Sequence, residues 1–124
     1  MPMLTVLRFC VRIADVIDLT SARLLAVQAA EAAGKIALAN FDRRKDIRFK
    51  SRGNPVTNVD LEAERAIVNL IGSKYPQHSI LSEEVAAVDR GDEFTWVIDP
   101  LDGTLNYTSN IPIFCVSIAL ARLD

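Results

Sequence analysis

The sequence predicts an α/β (α+β) fold in which two long helices pack on one face of a largely antiparallel sheet. Three observations predict it: two long segments with apolar residues at helical spacing, a charged strand between them, and three apolar strands after the second helix. The chain has 124 residues, of which 50% are hydrophobic and 24% charged. This balance is typical of a globular protein, and the length allows one domain.

Charge and composition limit the classes of partner. Lysine and arginine number 14 against 16 acidic residues, and the net charge of −2 gives no argument for a nucleic-acid or membrane partner. The longest apolar stretch, 111–121, is shorter than the ~20 residues of a membrane-spanning helix. Charges interrupt the apolar N-terminus, unlike in a secretory signal. Cys10 and Cys115 match no metal spacing and indicate reduced thiols. We therefore expect a cytoplasmic protein.

The first helix is predicted from Ser21 to Phe41, after an N-terminal extension over residues 1–18. Thr20 or Ser21 can cap its N-terminus, and alanine and leucine favour the helix. Residues 1–19 are also consistent with an earlier helix. Gly34 inside the helix suggests close packing against a neighbour. The predicted buried face consists of Leu25, Ala29, Ala32 and Ile36.

A charged strand follows within residues 42–52. Ile47 and Phe49 alternate with Arg48 and Lys50, and the run contains six basic and two acidic residues. One interpretation is a solvated edge strand that its charges protect from aggregation. The other is a positive rim that attracts an anionic substrate.

The second helix is predicted from Asn58 to Lys74, because Tyr75 precedes a proline. Strands follow at 79–81, 95–98 and 113–123, and the last is apolar on both faces, which predicts a central position in the sheet. His78 is expected at the surface or a strand edge, and Trp96 in the core. The predicted buried face of the helix is Ala63, Ala66, Ile67, Leu70 and Ile71, with Glu62, Glu64, Arg65 and Asn69 facing water.

Acidic residues are concentrated between positions 60 and 102, where ten of them stand against three basic residues. Glu83 and Glu84 follow one apolar strand, and Asp99 follows the next. Carboxylates at the ends of neighbouring strands repel one another and raise one another's pKa unless a cation lies between them. Oxygen ligands of this kind suit Mg²⁺ rather than zinc.

The segment 96–107 is the densest in polar groups. Asp99 and Asp102 flank a Pro-Leu pair, Gly103 allows the backbone to approach a ligand, and Thr104 can begin a helix whose N–H groups face an anion. The alternative is a simple hairpin, since Asp-Gly between apolar runs is a strong turn signal.

Three motifs, in the same order, resemble the inositol monophosphatase family of Mg²⁺-dependent, lithium-sensitive-type phosphatases. They are Asp-Pro-Leu-Asp-Gly-Thr-Leu-Asn-Tyr at 99–107, Asn-Pro-Val-Thr-Asn-Val-Asp at 54–60 and Ser-Glu-Glu at 82–84. The resemblance covers about residues 19–123. It implies that residues 19–124 form the N-terminal half of an αβαβα layered sandwich.

The resemblance also implies a metal site for two or three Mg²⁺ ions. Glu83, Asp99 and the carbonyl oxygen of Leu101 resemble the ligands of the first ion, and Asp99 and Asp102 those that bridge to a second. The alternative for Glu83 is a solvated loop.

The implied catalytic residues are Asp60, Thr104 and Glu83. Asp60 would orient Thr104, which would position and help to deprotonate the attacking water. Asp102 and the N–H groups of Gly103 and Thr104 would bind the phosphate. The alternatives are structural: Thr57 and Asp60 have the spacing of a capping box, and Thr104 could be a plain N-cap.

The implied function is Mg²⁺-dependent hydrolysis of a small phosphorylated metabolite, first of all inositol monophosphate, by a full-length form that is a homodimer. The family's Trp-Asp-x-Ala-Ala-Gly element has no match here, so we expect a truncated form with little activity alone. One alternative is a non-catalytic remnant that acts as a binding or assembly module. Another is a haloacid-dehalogenase-like phosphatase, although two residues rather than one separate Asp99 from Asp102.

Overall fold

The computed structural model describes residues 17–84 and 87–122. The predicted earlier helix, Cys10 and nearly all of the extension over 1–18 lie outside these ranges. In chain order the elements are α1 (Leu19–Asn40), β1 (Ile47–Ser51), β2 (Asn54–Thr57), α2 (Asn58–Lys74), β3 (Ser79–Ser82), β4 (Phe94–Asp102), α3 (Thr104–Thr108) and β5 (Cys115–Arg122).

The described strands form two sheets. β1 and β2 make an antiparallel hairpin in which Ile47 lies opposite Thr57. The other sheet has the order β3-β4-β5, with β3 parallel to β4 and β4 antiparallel to β5. Two of these three strand pairs are antiparallel, and both long helices contribute buried residues to a core shared with the three-stranded sheet. The predicted α/β fold is confirmed.

Helix α1 begins earlier than predicted. Its N-cap is Asp18, whose side chain accepts a hydrogen bond from the backbone N–H of Thr20 at 3.0 Å. The predicted close packing at Gly34 is wrong, because a Cβ there would have no neighbour within 4 Å. The buried face is Ala22, Leu25, Ala29, Ala33 and Ala37, whereas the predicted Ala32 and Ile36 are half-buried.

The buried face of α1 differs from the predicted one because of the composition of the helix. Apolar residues occur around the whole helix, and Leu24, Val27 and Leu38 are exposed. Periodicity therefore indicates a helix here but does not single out which stripe is buried.

Helix α2 has the predicted bounds, and both bonds of its capping box are present between Thr57 and Asp60. Ala66 and Leu70 are half-buried rather than buried. The prediction that Glu64 faces water is wrong, because its side chain is buried and accepts hydrogen bonds from the end of β3.

The core lies between the two long helices and the three-stranded sheet. α1 and α2 contribute their buried faces, and the sheet contributes Ile80, Trp96 and Ile98. A smaller cluster near the start of α2 contains Leu101 and Tyr107, whose hydroxyl donates to the carbonyl oxygen of Ala37 at 2.7 Å. This cluster anchors the turn that follows β4.

Strand β5 lies at an edge, so the predicted central position is wrong for the described residues. β4 takes the central position because it pairs with both β3 and β5. Residues Val116, Ile118 and Leu120 pack against the core, while Cys115, Ser117 and Ala119 are exposed. The strand is apolar on both faces because the exposed face carries alanine and cysteine as well as serine.

His78 is buried, contrary to the expected surface position, with only 3% of its surface exposed. Its ring stacks on Tyr75 at 4.7 Å between centroids, and its Nδ1 accepts a hydrogen bond from Nε1 of Trp96 at 3.0 Å. The core position of Trp96 is confirmed. None of the helices in the described part of the chain is long and apolar enough to cross a membrane.

Candidate active site

The start of α2 meets the turn after β4 at Asp60. The Oδ1 atom of this buried carboxylate accepts a hydrogen bond from the hydroxyl of Thr104 at 2.9 Å. Its Oδ2 atom accepts from the backbone N–H of Thr57 at 2.9 Å and from the Thr57 hydroxyl. Both oxygens therefore have donors, as a buried carboxylate requires.

The turn after β4 is held in place by its own sequence. Leu101 is buried, and Gly103 has a φ of 87°. A Cβ at Gly103 would lie 2.8 Å from the carbonyl oxygen of Ile113, so the close approach of the two segments requires glycine. The chain then enters α3 at Thr104. The simple hairpin is therefore wrong, because α3 and a further segment separate β4 from β5.

The Thr104 hydroxyl lies within hydrogen-bonding distance of two acceptors. It is 2.9 Å from Asp60 Oδ1 and also 2.9 Å from the carbonyl oxygen of Leu101. A hydroxyl has a single hydrogen to donate, so it serves one of these acceptors at a time. Thr104 thus joins the candidate catalytic carboxylate to one of the predicted metal ligands.

Glu83, directly after β3, lies near Asp99, which is in the C-terminal part of β4. The backbone N–H of Glu83 donates to the carbonyl oxygen of Ile98 at 3.3 Å. The pKa of Asp99 is raised to about 6. Burial is the largest cause, followed by the negative charge of Glu83, a hydrogen bond with Glu83 and the charge of Asp102. Glu83 and Asp99 are thus close enough to interact, and the predicted convergence of the carboxylates into a metal site stays a prediction.

Lys50 connects the β1–β2 hairpin to this edge. Its Nζ atom lies 2.9 Å from Oε1 of Glu84 and 3.3 Å from Oε1 of Glu83. Burial lowers the pKa of Lys50, but the hydrogen bonds and charges of Glu84 and Glu83 outweigh it and hold this pKa above its usual value. All residues of β1 are exposed, which agrees with the solvated edge strand, and Lys50 also places positive charge beside the carboxylates.

The donor types at this edge suit a hard cation such as Mg²⁺, which prefers carboxylate and carbonyl oxygens. Within residues 17–84 and 87–122, however, no three acidic, histidine or cysteine side chains are grouped so that they could hold a metal ion. Asp102 is exposed, and its Oδ2 lies 3.8 Å from the free thiol of Cys115. The pair Glu83 and Asp99 is present, and the full ligand set stays a prediction.

Comparison with known proteins agrees with the motifs. The sequence profile of the inositol monophosphatase family matches residues 18–123. The chain belongs to the inositol monophosphatase family. Two curated members similar to it, from Pasteurella multocida and Escherichia coli K12, are both named Nus factor SuhB. They are 42% and 41% identical to it over 99 residues, which is 77% of this chain and 37% of each relative.

Solved structures of inositol monophosphatase family members share the fold. The extragenic suppressor protein suhB of Bartonella henselae matches 82% of this chain with a TM-score of 0.80 and 31% identity, over 41% of its own length. The inositol monophosphatase of Anabaena (Nostoc) matches 86% with a TM-score of 0.70 and 36% identity, over 37% of its length. The chain thus spans about two fifths of the length of these relatives.

Sequence reasoning did not single out Glu64, which the structure places next to the candidate site. Its Oε2 atom accepts hydrogen bonds from the hydroxyl of Ser82 and from the backbone N–H of Glu84, the latter at 3.1 Å. One signal was available: Glu64 is four residues after Asp60, so the two share a helix face, and it follows the buried Ala63. Lys50 was noted only as one charge of an alternating strand.

Proposed function

We propose that this chain carries the metal-binding and water-activating part of a Mg²⁺-dependent phosphatase that hydrolyses a small phosphate monoester, with inositol monophosphate as the first candidate. The main support is the contact between the Thr104 hydroxyl and the buried carboxylate of Asp60, close to the C-terminal part of β4, which carries Asp99 and Asp102. Family membership and the raised pKa of Asp99 support the same function.

In this proposal, Mg²⁺ would be held by Glu83, Asp99, Asp102 and the carbonyl oxygen of Leu101. The bound ion lowers the pKa of a water molecule and neutralises the oxygens of the phosphate. The carboxylates supply the negative charge that makes the edge attractive to a divalent cation. Lys50, now beside Glu83, has to move aside or share Glu83 when a cation binds.

Thr104 and Asp60 would act on the proton of the attacking water. With its hydrogen donated to Oδ1 of Asp60, the Thr104 oxygen keeps lone pairs that accept a hydrogen from water. As water attacks phosphorus, the bond between phosphorus and the ester oxygen would break and the alcohol would leave, taking a proton from solvent water. The proton of the attacking water would pass to Thr104 Oγ1, and the hydroxyl hydrogen of Thr104 would pass to Asp60. Because Thr57 holds the other oxygen of Asp60, this carboxylate is already oriented.

Phosphate would bind at the turn itself. We assign its contacts to the N–H groups of Gly103 and Thr104, next to Asp102. The basic residues of the β1–β2 hairpin would raise the local concentration of an anionic substrate. In the full-length form we also expect a homodimer.

A binding or assembly module without catalysis is the second candidate. The name Nus factor, carried by several relatives, favours it. The two candidates differ in whether phosphate is released, so an activity measurement separates them.

The decisive assay uses this chain extended by the C-terminal remainder of one of its relatives. With Mg²⁺ it should release phosphate from inositol monophosphate without a phosphorylated-protein intermediate, which distinguishes it from a haloacid-dehalogenase-like enzyme. Thr104→Ala should lower turnover by about 10²–10⁴-fold, the usual value of proton transfer by a positioned group. Thr108→Ala, at the far end of α3, is the matched control and should leave turnover unchanged.

Two results would contradict the proposal. One is an extended chain that folds and binds Mg²⁺ but releases no phosphate, which would favour the binding module. The other is turnover that Thr104→Ala and Thr108→Ala leave equally unchanged. The 124-residue chain alone should show little turnover, and a rate of about 1 s⁻¹ or more would show that no second part is needed.

A further inference from the structure

We propose that Glu64 is a positioning residue that fixes the end of β3, so that the side chain of Glu83 is presented to Asp99. This inference rests on the proposed function, because it concerns how one of the predicted metal ligands is oriented. Glu64 itself would touch neither metal nor substrate.

Glu64 contacts the residue before Glu83 in the sequence and the residue after it. The hydroxyl of Ser82, the preceding residue, donates to Glu64 Oε2. The backbone N–H of Glu84, the following residue, donates to the same oxygen at 3.1 Å. A single buried oxygen thus holds both neighbours of Glu83 and limits the directions in which Glu83 can point.

Glu83 has little packing of its own to fix it. Its side chain is 46% exposed and makes polar contacts with Lys50 of the hairpin, at 3.3 Å, and with Asp99. Its backbone N–H bonds to Ile98 across the sheet. The side chain of Glu84, in contrast, is only 4% exposed. The orientation of Glu83 therefore depends on its backbone, which Glu64 holds through Glu84.

The burial of Glu64 is itself informative. An acidic side chain with 0% exposure has lost its hydration, which is strongly unfavourable unless hydrogen bonds offset the loss. Glu62, two residues earlier on the same helix, is exposed. Ser82 and Glu84 donate such hydrogen bonds to the buried Glu64.

Asp60 and Glu64 make α2 a common support for two parts of the site. They are four residues apart and lie on one helix face. Asp60 holds Thr104 in the turn after β4, and Glu64 holds the turn after β3. The helix thereby sets the distance between the group proposed to activate water and the carboxylate proposed to bind metal.

The test compares Glu64→Leu, which removes the acceptor, with Glu64→Gln, which keeps one acceptor oxygen, and with Glu62→Leu as the matched exposed control. Hydrogen exchange of the Glu84 amide is measured in the metal-free chain, and the affinity for Mg²⁺ by calorimetry. Glu64→Leu should reduce amide protection at Glu84 by about tenfold and the affinity for Mg²⁺ by about 10–100-fold, as for other groups that orient ligands. Glu64→Gln and Glu62→Leu should keep the amide protection of Glu84 and the affinity for Mg²⁺ within about threefold of wild type, which is less than the effect of one hydrogen bond.

Ser82→Ala extends the test to the turn, because it removes one donor without placing a leucine in the core. It should lower Glu84 protection and Mg²⁺ affinity in the same direction as Glu64→Leu. Unchanged Glu84 exchange in Glu64→Leu and Ser82→Ala overturns the inference, as does lost protection with unaltered Mg²⁺ affinity. If the wild-type chain binds no Mg²⁺, the metal site of the proposed function fails, while Glu84 exchange still decides whether Glu64 holds the turn.

Discussion

The hydroxyl of Thr104 lies 2.9 Å from the carboxylate of Asp60, although 44 residues separate them in the chain. Asp60 also completes the capping box at the start of α2 with Thr57. A capping box and a catalytic role were opposing interpretations of this spacing. The capping box is present, and because it uses Oδ2 while Thr104 uses Oδ1, it does not exclude the catalytic role.

Thr57→Ala should destabilise the protein by about 1 kcal/mol, the usual effect of losing an N-cap side chain. The hydroxyl accepts from the backbone N–H groups of Val59 and Asp60 and donates to the Asp60 side chain. Urea unfolding measures the loss, with Ser73→Ala near the exposed end of the same helix as the control. Equal stability of the two variants would mean that the capping box contributes nothing.

Gly103→Ala should destabilise more than Gly53→Ala. Both glycines have a positive φ, 87° and 73°, which costs an alanine roughly 1–2 kcal/mol. Only at Gly103 would the added Cβ also meet a backbone atom, the carbonyl oxygen of Ile113 at 2.8 Å, and overpacking of this kind typically adds about 1–3 kcal/mol. Thermal unfolding of the two variants gives the difference, and equal losses would contradict the close approach.

His78 should make stability depend on pH. Burial lowers the pKa of His78, and the charge of Asp92 offsets part of this effect. In the unfolded chain the histidine has its ordinary pKa near 6.5, so on acidification the unfolded chain takes up the proton before the folded protein does. The stability that His78 contributes is therefore present above pH 6.5 and is lost as pH falls through its lower folded pKa. His78→Phe should cost about 1–3 kcal/mol at pH 8, because the buried N–H of Trp96 loses its acceptor. The difference in unfolding free energy between wild type and His78→Phe should be smaller at pH 5 than at pH 8. The same difference at both pH values would contradict a neutral His78 in the folded protein.

Asp99→Asn should stabilise the metal-free chain at pH 7. The folded pKa of about 6 lies above the ordinary value of 3.8 for an aspartate, so the folded state binds more protons between these values and loses stability as pH rises through 6. Removing the charge should recover about 1 kcal/mol at this partly exposed site, where solvent screens the repulsion. Denaturant unfolding in EDTA checks this, with Asp92→Asn as the control, and a destabilised Asp99→Asn would mean that the charge is compensated.

The sequence predicted the elements whose signals are local. The bounds of α2 follow from Thr57 at one end and Tyr75 before a proline at the other, and the motif residues led to the family. What it could not predict depends on partners distant in the chain. Glu64 is buried because Ser82 and Glu84 donate to it, and His78 because Trp96 and Tyr75 surround it.

The buried face of α1 and the position of β5 were missed for a different reason. Alanine, leucine and valine occur around the whole of α1, so several stripes are equally apolar. An apolar strand such as β5 can be central or lie at an edge, and pairing with β4 alone places it at the edge of the described sheet. Patterns within one segment do not contain this information.

Calorimetric titration of Mg²⁺ into the metal-free chain tests the central claim, that Glu83 after β3 and the aspartates in the C-terminal part of β4 bind the ion. The wild-type chain and the Asp92→Asn control should bind Mg²⁺ with similar affinity. Asp99→Asn should lose most of the binding, because this carboxylate lies beside Glu83 and would be one of the residues that hold the ion. Equal affinity of wild type and Asp99→Asn would contradict the assignment of the site.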